Sequence, residues 1–245
     1  MAVFKRSLRY LFGSKDRKPV QAYNLWAADY DSQPDNLMLA FDEAVFPELF
    51  AEIDSKNKSI LDIGCGTGRH WKYMFSKEPS QLTGYDVSAE MLRMLQQKYP
   101  EAITYELRRN KLDKTADNTV DIIISTLTIA HIENAKEALQ EWNRVLKPGG
   151  YVIITDYHPI ALQKGGKRTF THKGATISVK NYIHSIEELQ QIAGQLQWQT
   201  LRLVEKKVDE TVRSFYEKQH ALAVFESFKG TPIIYGMLFK KTNVT

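Results

Sequence analysis

The chain of 245 residues is 43% hydrophobic and 25% charged, a composition expected of a soluble globular protein and long enough for one large domain. No apolar run approaches the roughly 18 residues of a membrane span, the single cysteine, Cys65, excludes an internal disulfide and a cysteine-based zinc site, and six histidines without ligand spacing support no metal site. The net charge of +4 is uneven: residues 1–20 hold six Lys/Arg against Asp16 and the remainder carries −1, which argues against a nucleic-acid partner, since that demands a basic groove in the main body.

The opening MAVFKRSLRYLFGSKDRK lacks the unbroken apolar stretch of a secretory signal, so a cytoplasmic location is the default expectation. Residues 3–12 place Val3, Phe4, Leu8, Leu11 and Phe12 on one helical stripe with Lys5, Arg6 and Arg9 elsewhere. Residues 1–20 therefore read as a basic amphipathic arm that is able to touch an anionic membrane surface; docking on its own domain is the plainer account. Residues 1–18 are expected to be dispensable for ligand affinity.

NLMLAFDEAVFPELFAEI (36–53) reads as helical, and SILDIG as a buried parallel strand ending in glycines. The pattern then repeats: a helix from Gly68 to Phe75, strand QLTGYD, a helix from Ser88 to Lys98, strands ITYEL and VDIIIS, a helix from Asn134 to Leu146, and strand GYVIITD. Ser88 is a fitting N-cap, and Pro148-Gly149-Gly150 a stop. There follow a polar loop QKGGKRTFTHKG, a helix SIEELQQIAGQL, a strand QTLRLVEKKV, a helix around Thr211 to Phe228 and a last strand TPIIYGMLFKK. Strands alternating with helices imply an α/β fold with a doubly wound, mostly parallel sheet.

Gly64, Gly66 and Gly68 lie where the first strand turns into a helix, and missing side chains there let a ligand approach the backbone. Asp86 ends the next strand, where a doubly wound sheet reaches a ligand's ribose and a carboxylate can accept from both hydroxyls. The spacing is G-x-G-x-G, with Arg69 in the sixth position, and not the dinucleotide G-x-G-x-x-G. Asp62 also places negative charge beside the loop, which suits a ligand bearing an ammonium and a sulfonium better than a pyrophosphate. Together these favour S-adenosylmethionine over NAD.

ILDIGCGTG, GYDVSAEMLRML and VDIIISTLTIAHIENAKEALQEWNRVLKPGGYVIITD, spanning about residues 58–157, resemble the class I S-adenosylmethionine-dependent methyltransferases, which are Rossmann-like, in the branch acting largely on small molecules. YNLWAADYD (23–31) resembles a segment that often precedes the domain in this branch. The resemblance implies a seven-stranded sheet with an antiparallel last strand, a helical cap over 21–55, a cofactor-binding core over 58–157, and an acceptor-side region over 158–245. It implies S-adenosylmethionine as cofactor, S-adenosylhomocysteine as product and a small-molecule acceptor. By position, Gly64, Gly66 and Gly68 would line the methionine end with Asp62 and Cys65 beside them, and Asp86 would hold the ribose. Val87 and Met91 would pack near the adenine. Asn110 and Lys111 fall in the loop that often frames the adenine, although ELRRNKLDK lacks the acidic residue that relatives often place there. Ser125, Thr126 and Leu127 would sit beside the sulfonium, with Tyr30 closing over them. Val87, Met91 and Leu127 fit a plain core role equally well.

Methyl transfer from a sulfonium is an in-line displacement in which the protein mainly aligns the acceptor and excludes water. His131 and His158 follow the carboxyl ends of the fourth and fifth strands, where ligands bind in open α/β sheets, and are the candidate catalytic residues, His131 also as a cofactor contact. A lone histidine near a helix start is more often a hydrogen-bonded structural residue. Lys164, Lys167, Arg168 and Lys173 of the polar loop read as solvated surface charge, with attraction of an anionic acceptor the other reading. Asp86, at a strand end, is expected to be replaceable without loss of folding stability. The alternative function is a noncatalytic S-adenosylmethionine-binding scaffold or regulator, against which the intact glycines and Asp86 argue.

Overall fold

In chain order the elements begin with β1 (Asp16–Arg17), α1 (Pro19–Trp26), α2 (Leu37–Phe50), β2 (Ser59–Ile63), α3 (Trp71–Phe75) and β3 (Gln81–Asp86). They continue with α4 (Ala89–Lys98), β4 (Ile103–Glu106), β5 (Val120–Thr126), α5 (Ala135–Val145), β6 (Leu146–Tyr157), α6 (Pro159–Gln163), β7 (Thr169–His172) and β8 (Ala175–Val179). The last are α7 (Ile186–Gln195), β9 (Trp198–Lys207), α8 (Arg213–Lys218), α9 (Leu222–Phe228) and β10 (Pro232–Lys241). This computed structural model describes residues 16–33 and 36–242; the basic stripe expected at residues 3–12 lies outside them.

Seven strands form one sheet in the order β4-β3-β2-β5-β6-β10-β9. β2 to β6 pair in parallel, and β10 runs antiparallel to both neighbours, the arrangement expected for the last strand. Side chains of adjacent strand residues point to opposite faces, and both faces are covered. Ile60, Ile122, Ile124 and Ile153 share a cluster with Phe46, Trp71 and Leu95 of the helices on one side. Leu61, Ile63, Ile123 and Ile154 share the other with Leu139 and Trp142 of α5 and Leu189 of α7. That double burial is why the central strands read as continuous apolar runs. Asn36, Ser88, Asn134 and Ser185 cap α2, α4, α5 and α7, each side chain accepting from a backbone N–H three residues on.

Three readings of the sequence are corrected. The polar loop contains a strand: Thr169–His172 pairs antiparallel with Ala175–Val179, and β1 adds in parallel to β8 to make a second, three-stranded sheet. Phe170 is the only buried apolar residue of β7, so a single strand of this hairpin carries no legible alternation. The helix expected over Thr211 to Phe228 is broken into α8 and α9, with His220 between them at φ 54°. The glycine-rich stop after α5 is instead part of β6, because Leu146 already pairs with Val120 ahead of a bulge. Among the described residues no helix is long and apolar enough to cross a membrane.

Candidate cofactor and acceptor site

At the carboxyl end of β2 the chain turns through Gly64 (φ 75°), Gly66 (φ 53°) and Gly68 (φ 73°). The first and second glycines are required for different reasons. A Cβ on Gly64 would stand 2.0 Å from Thr128 Oγ1, whereas a Cβ on Gly66 would meet nothing within 4 Å. Packing within the protein demands the first, and open space lies before the second. Gly66 also lines a small cavity of about 30 Å³ together with Tyr30, Asp62, Gly64, Cys65, Thr67, Arg69, His70 and Thr126.

Two buried carboxylates flank the loop. Asp62 accepts from Trp71 Nε1 at 2.8 Å; burial pushes its carboxyl up to about 7, the Trp71 hydrogen bond opposing and the nearby Asp86 charge reinforcing the rise. Asp86 accepts the N–H of Gly66 and the N–H of Ser88, each at 2.8 Å. Burial nevertheless pushes it up to about 6. One carboxylate thus ties the glycine loop to the end of β3 and the start of α4, which revises the expectation that Asp86 is dispensable for stability. Its side chain is buried, and its removal would orphan two backbone donors. Ser125 Oγ, on the neighbouring strand, is buried with no partner among the described residues.

The segment before the sheet is fastened over this end of it. Asn24 accepts from Ser88 Oγ at 2.6 Å, and Asp31 accepts from Thr67 Oγ1 at 2.7 Å and Lys98 at 2.8 Å. Deeper, Asp42 of α2 is fully buried and accepts from Arg69, from His70 Nε2 at 2.8 Å, and from Thr155 of β6. Burial alone would raise the Asp42 carboxyl, yet the Arg69 charge and the hydrogen bonds from His70 and Thr155 hold it well below the usual range. Burial, with Arg69 beside it, pushes the His70 imidazole down. Sequence reasoning missed this network. The available signal was that Asp42 shares the helical spacing of the buried Leu39, Phe46 and Leu49.

Of the residues singled out from sequence, Tyr30, Asp62, Gly64, Cys65, Gly66 and Thr126 line one cavity. Gly68 packs against Leu95 and Trp71. Met91 and Leu127 are buried and Val87 is half-buried, with Leu127 in the left-handed region at φ 52°. Asn110 and Lys111 are not among the residues that line this cavity. They belong to a tight turn bridged between Arg108 and Lys111, and Lys111 faces Glu141 of α5 at 3.8 Å. The Cys65 thiol is buried and pushed up by that burial, an inert packing group.

Neither histidine offers a free nitrogen. His131 Nδ1 lies 2.9 Å from the Lys180 carbonyl, which can only accept, so Nδ1 carries the proton and Nε2 accepts from the Tyr23 hydroxyl at 2.8 Å. Burial, with Arg168 adding to it, pushes this imidazole down to about 3. His158 caps α6 by accepting the Ile160 N–H at Nδ1, 3.1 Å away, and donates Nε2–H to Glu205 at 2.8 Å. It ties the end of β6 to β9, and both of its ring nitrogens are engaged. The expectation of solvated charge holds for Lys164, Lys167 and Lys173, which are exposed, and fails for Arg168, which is 6% exposed.

Residues 61–154 match a family model described as a methyltransferase domain. A biotin biosynthesis bifunctional protein, BioHC of Cellvibrio japonicus, is 31% identical over 188 residues, covering 73% of this chain and 35% of that protein. The chain spans between 35% and 42% of the length of the first two curated relatives it matches. Among solved structures, an S-adenosylmethionine dependent methyltransferase from Mesorhizobium loti has a TM-score of 0.62 at 16% identity, covering 80% of this chain and 96% of that one. The [4+2]-cyclase SpnF has a TM-score of 0.68 at 17% identity, covering 95% and 98%. Likeness at those identities is likeness of fold, and a fold hosts more than one reaction. Residues 61–154 thus match a methyltransferase domain, and strand order and glycine loop give the chain the fold of the class I S-adenosylmethionine-dependent methyltransferases.

Proposed function

We propose that the protein transfers a methyl group from S-adenosylmethionine to a small-molecule acceptor. The observation that carries this reading is the open space over Gly66 beside two buried carboxylates, Asp62 and Asp86, neither of which forms an ion pair among the described residues. A ligand with an ammonium and a sulfonium supplies the counter-charge, while a pyrophosphate would be repelled. Gly64, Gly66 and Asp62 would hold the methionine end, and Asp86 would accept from the ribose hydroxyls on the lone pairs left by its two backbone donors. Val87 and Met91 would flank the adenine, with Ser125, Thr126 and Leu127 near the sulfur.

S-adenosylmethionine, when bound, supplies the activated methyl carbon. The chain's own part is to position and to exclude water. The ties from Asn24 to Ser88 and from Asp31 to Thr67 hold the cap over the loop, and Tyr30 closes the cavity beneath it. Because both imidazoles are committed to partners, an acceptor that is already nucleophilic fits this site better than one that must first lose a proton to histidine.

Calorimetric titration with S-adenosylhomocysteine, followed by incubation with methyl-tritiated cofactor and fractionated metabolite extract, tests the reading. Binding together with label transfer is the expected result. Binding without transfer to any fraction would indicate the scaffold alternative, and absence of binding would end both.

A further inference from the structure

Arg168 lies between α6 and β7, and its position in a lysine-rich loop masks what the fold does with it. The side chain is 6% exposed. Its Nη1 donates to the Tyr23 hydroxyl at 2.8 Å and to the Leu127 carbonyl at 2.9 Å. Its Nη2 is shut from solvent and has no hydrogen-bond partner among the described residues. Asp156 is the carboxylate whose charge it feels, but Asp156 spends its oxygens on the Ala130 N–H at 2.8 Å and the Tyr157 N–H at 2.6 Å. No ion pair to Arg168 is formed among the described residues. A buried guanidinium left without a paired anion is strongly unfavourable, and its planar fork of N–H groups matches a carboxylate or a phosphate.

The surroundings fix where that fork sits. Leu127 follows Thr126, which lines the cavity, and Tyr30, from the same lining, is close enough for the Arg168 charge to act on its hydroxyl. Tyr23 is itself held by donating to His131 Nε2, and His131 by donating to Lys180. A relay from β8's end through His131 and Tyr23 therefore orients the guanidinium at the strand end where the methyl group would be presented.

We infer that the methyl acceptor carries an anionic group, a carboxylate or phosphate, and that Arg168 Nη2 receives it; the inference rests on the methyl-transfer reading above. With α1 seated the nitrogen is closed off, so the acceptor reaches it before the cap closes. The Tyr23 and His131 side chains are positioning residues that act through Arg168.

The test combines two measurements on the full chain. Calorimetry compares S-adenosylhomocysteine with 5′-methylthioadenosine, which lacks the amino-acid carboxylate, on wild type and Arg168→Gln. Both affinities should stay within about twofold of wild type. If Arg168→Gln weakens S-adenosylhomocysteine and spares 5′-methylthioadenosine, the unpaired nitrogen serves the cofactor's own carboxylate and the proposal is overturned. Separately, metabolite extract is split on an anion-exchange resin and each fraction is incubated with methyl-tritiated cofactor. Methyl-accepting activity should be retained and elute with salt; activity confined to the flow-through overturns the proposal. With the retained fraction, Arg168→Gln should raise the half-saturating amount by about tenfold or more, Arg168→Lys by less, and Tyr23→Phe should raise it with maximal rate kept within about twofold. If Arg168→Gln fails to fold, Arg168→Lys and Tyr23→Phe carry the comparison, and equal half-saturation in both and wild type overturns it. Cofactor binding with no labelled fraction of either kind is a different failure, that of the methyl-transfer reading itself.

Discussion

Gly64 and Gly66 look alike in sequence and should respond differently to the same substitution. Each has a left-handed backbone, at φ 75° and 53°, so an alanine at either costs about 1–2 kcal/mol of conformational strain. At Gly66 nothing else is met within 4 Å, and Gly66→Ala should lose about that much stability without ligand. At Gly64 the new Cβ falls 2.0 Å from Thr128 Oγ1 and 2.6 Å from its Cγ2, which adds overpacking of about 1–3 kcal/mol and gives roughly 2–5 kcal/mol in all. Urea unfolding of Gly64→Ala, Thr128→Gly and the double variant should then show a favourable coupling of about 1–3 kcal/mol, since the glycine at 128 removes the obstructing atoms. The ligand effect is reversed in rank: Gly66→Ala puts a methyl into the space over the loop and should weaken S-adenosylhomocysteine by about tenfold or more, near 1.4 kcal/mol. Wild-type affinity in Gly66→Ala would show that the cofactor does not approach there, and equal stability losses at the two positions would refute the packing argument.

Asp86→Ala should destabilise the ligand-free protein by roughly 2 kcal/mol, because two buried N–H groups lose their acceptor while relief from charge burial offsets part of the loss; an unchanged melting temperature would contradict it. Asp62 and Asp86, raised by burial to about 7 and about 6, stabilise the ligand-free fold below their unfolded values and lose that contribution as pH rises through the folded ones. The ionised pair is the form a cation prefers, so affinity for S-adenosylmethionine should climb from about pH 5.5 to about pH 7.5 and then level, and a flat calorimetric profile would refute this. Asp42→Ala leaves Arg69, His70 and Thr155 without their shared acceptor and should cost about 3–5 kcal/mol in urea unfolding; a loss below about 1 kcal/mol would mean that water replaces the carboxylate.

Local chemistry made much of this molecule legible from its residues. Continuous apolar runs and capped amphipathic helices marked the strands and helices around the glycine loop, because each is set by neighbours a few positions away. The same local rule located Gly64, Gly66 and Asp86 at strand ends, where a doubly wound sheet binds ligands. What sequence could not assign was decided by contacts between distant segments. Asp42 meets Thr155, Tyr23 meets His131 and Arg168, and His158 meets Glu205. Whether a charged or titratable side chain is solvated, capped or buried depends on those meetings, and spacing along the chain marks at most which face it lies on, as it does for Asp42. Arg168 shows the division most plainly: among the lysines of its loop it reads as surface charge, and only the fold, which brings it to the Tyr23 hydroxyl and the Leu127 carbonyl, makes it a buried guanidinium with one nitrogen unpaired among the described residues.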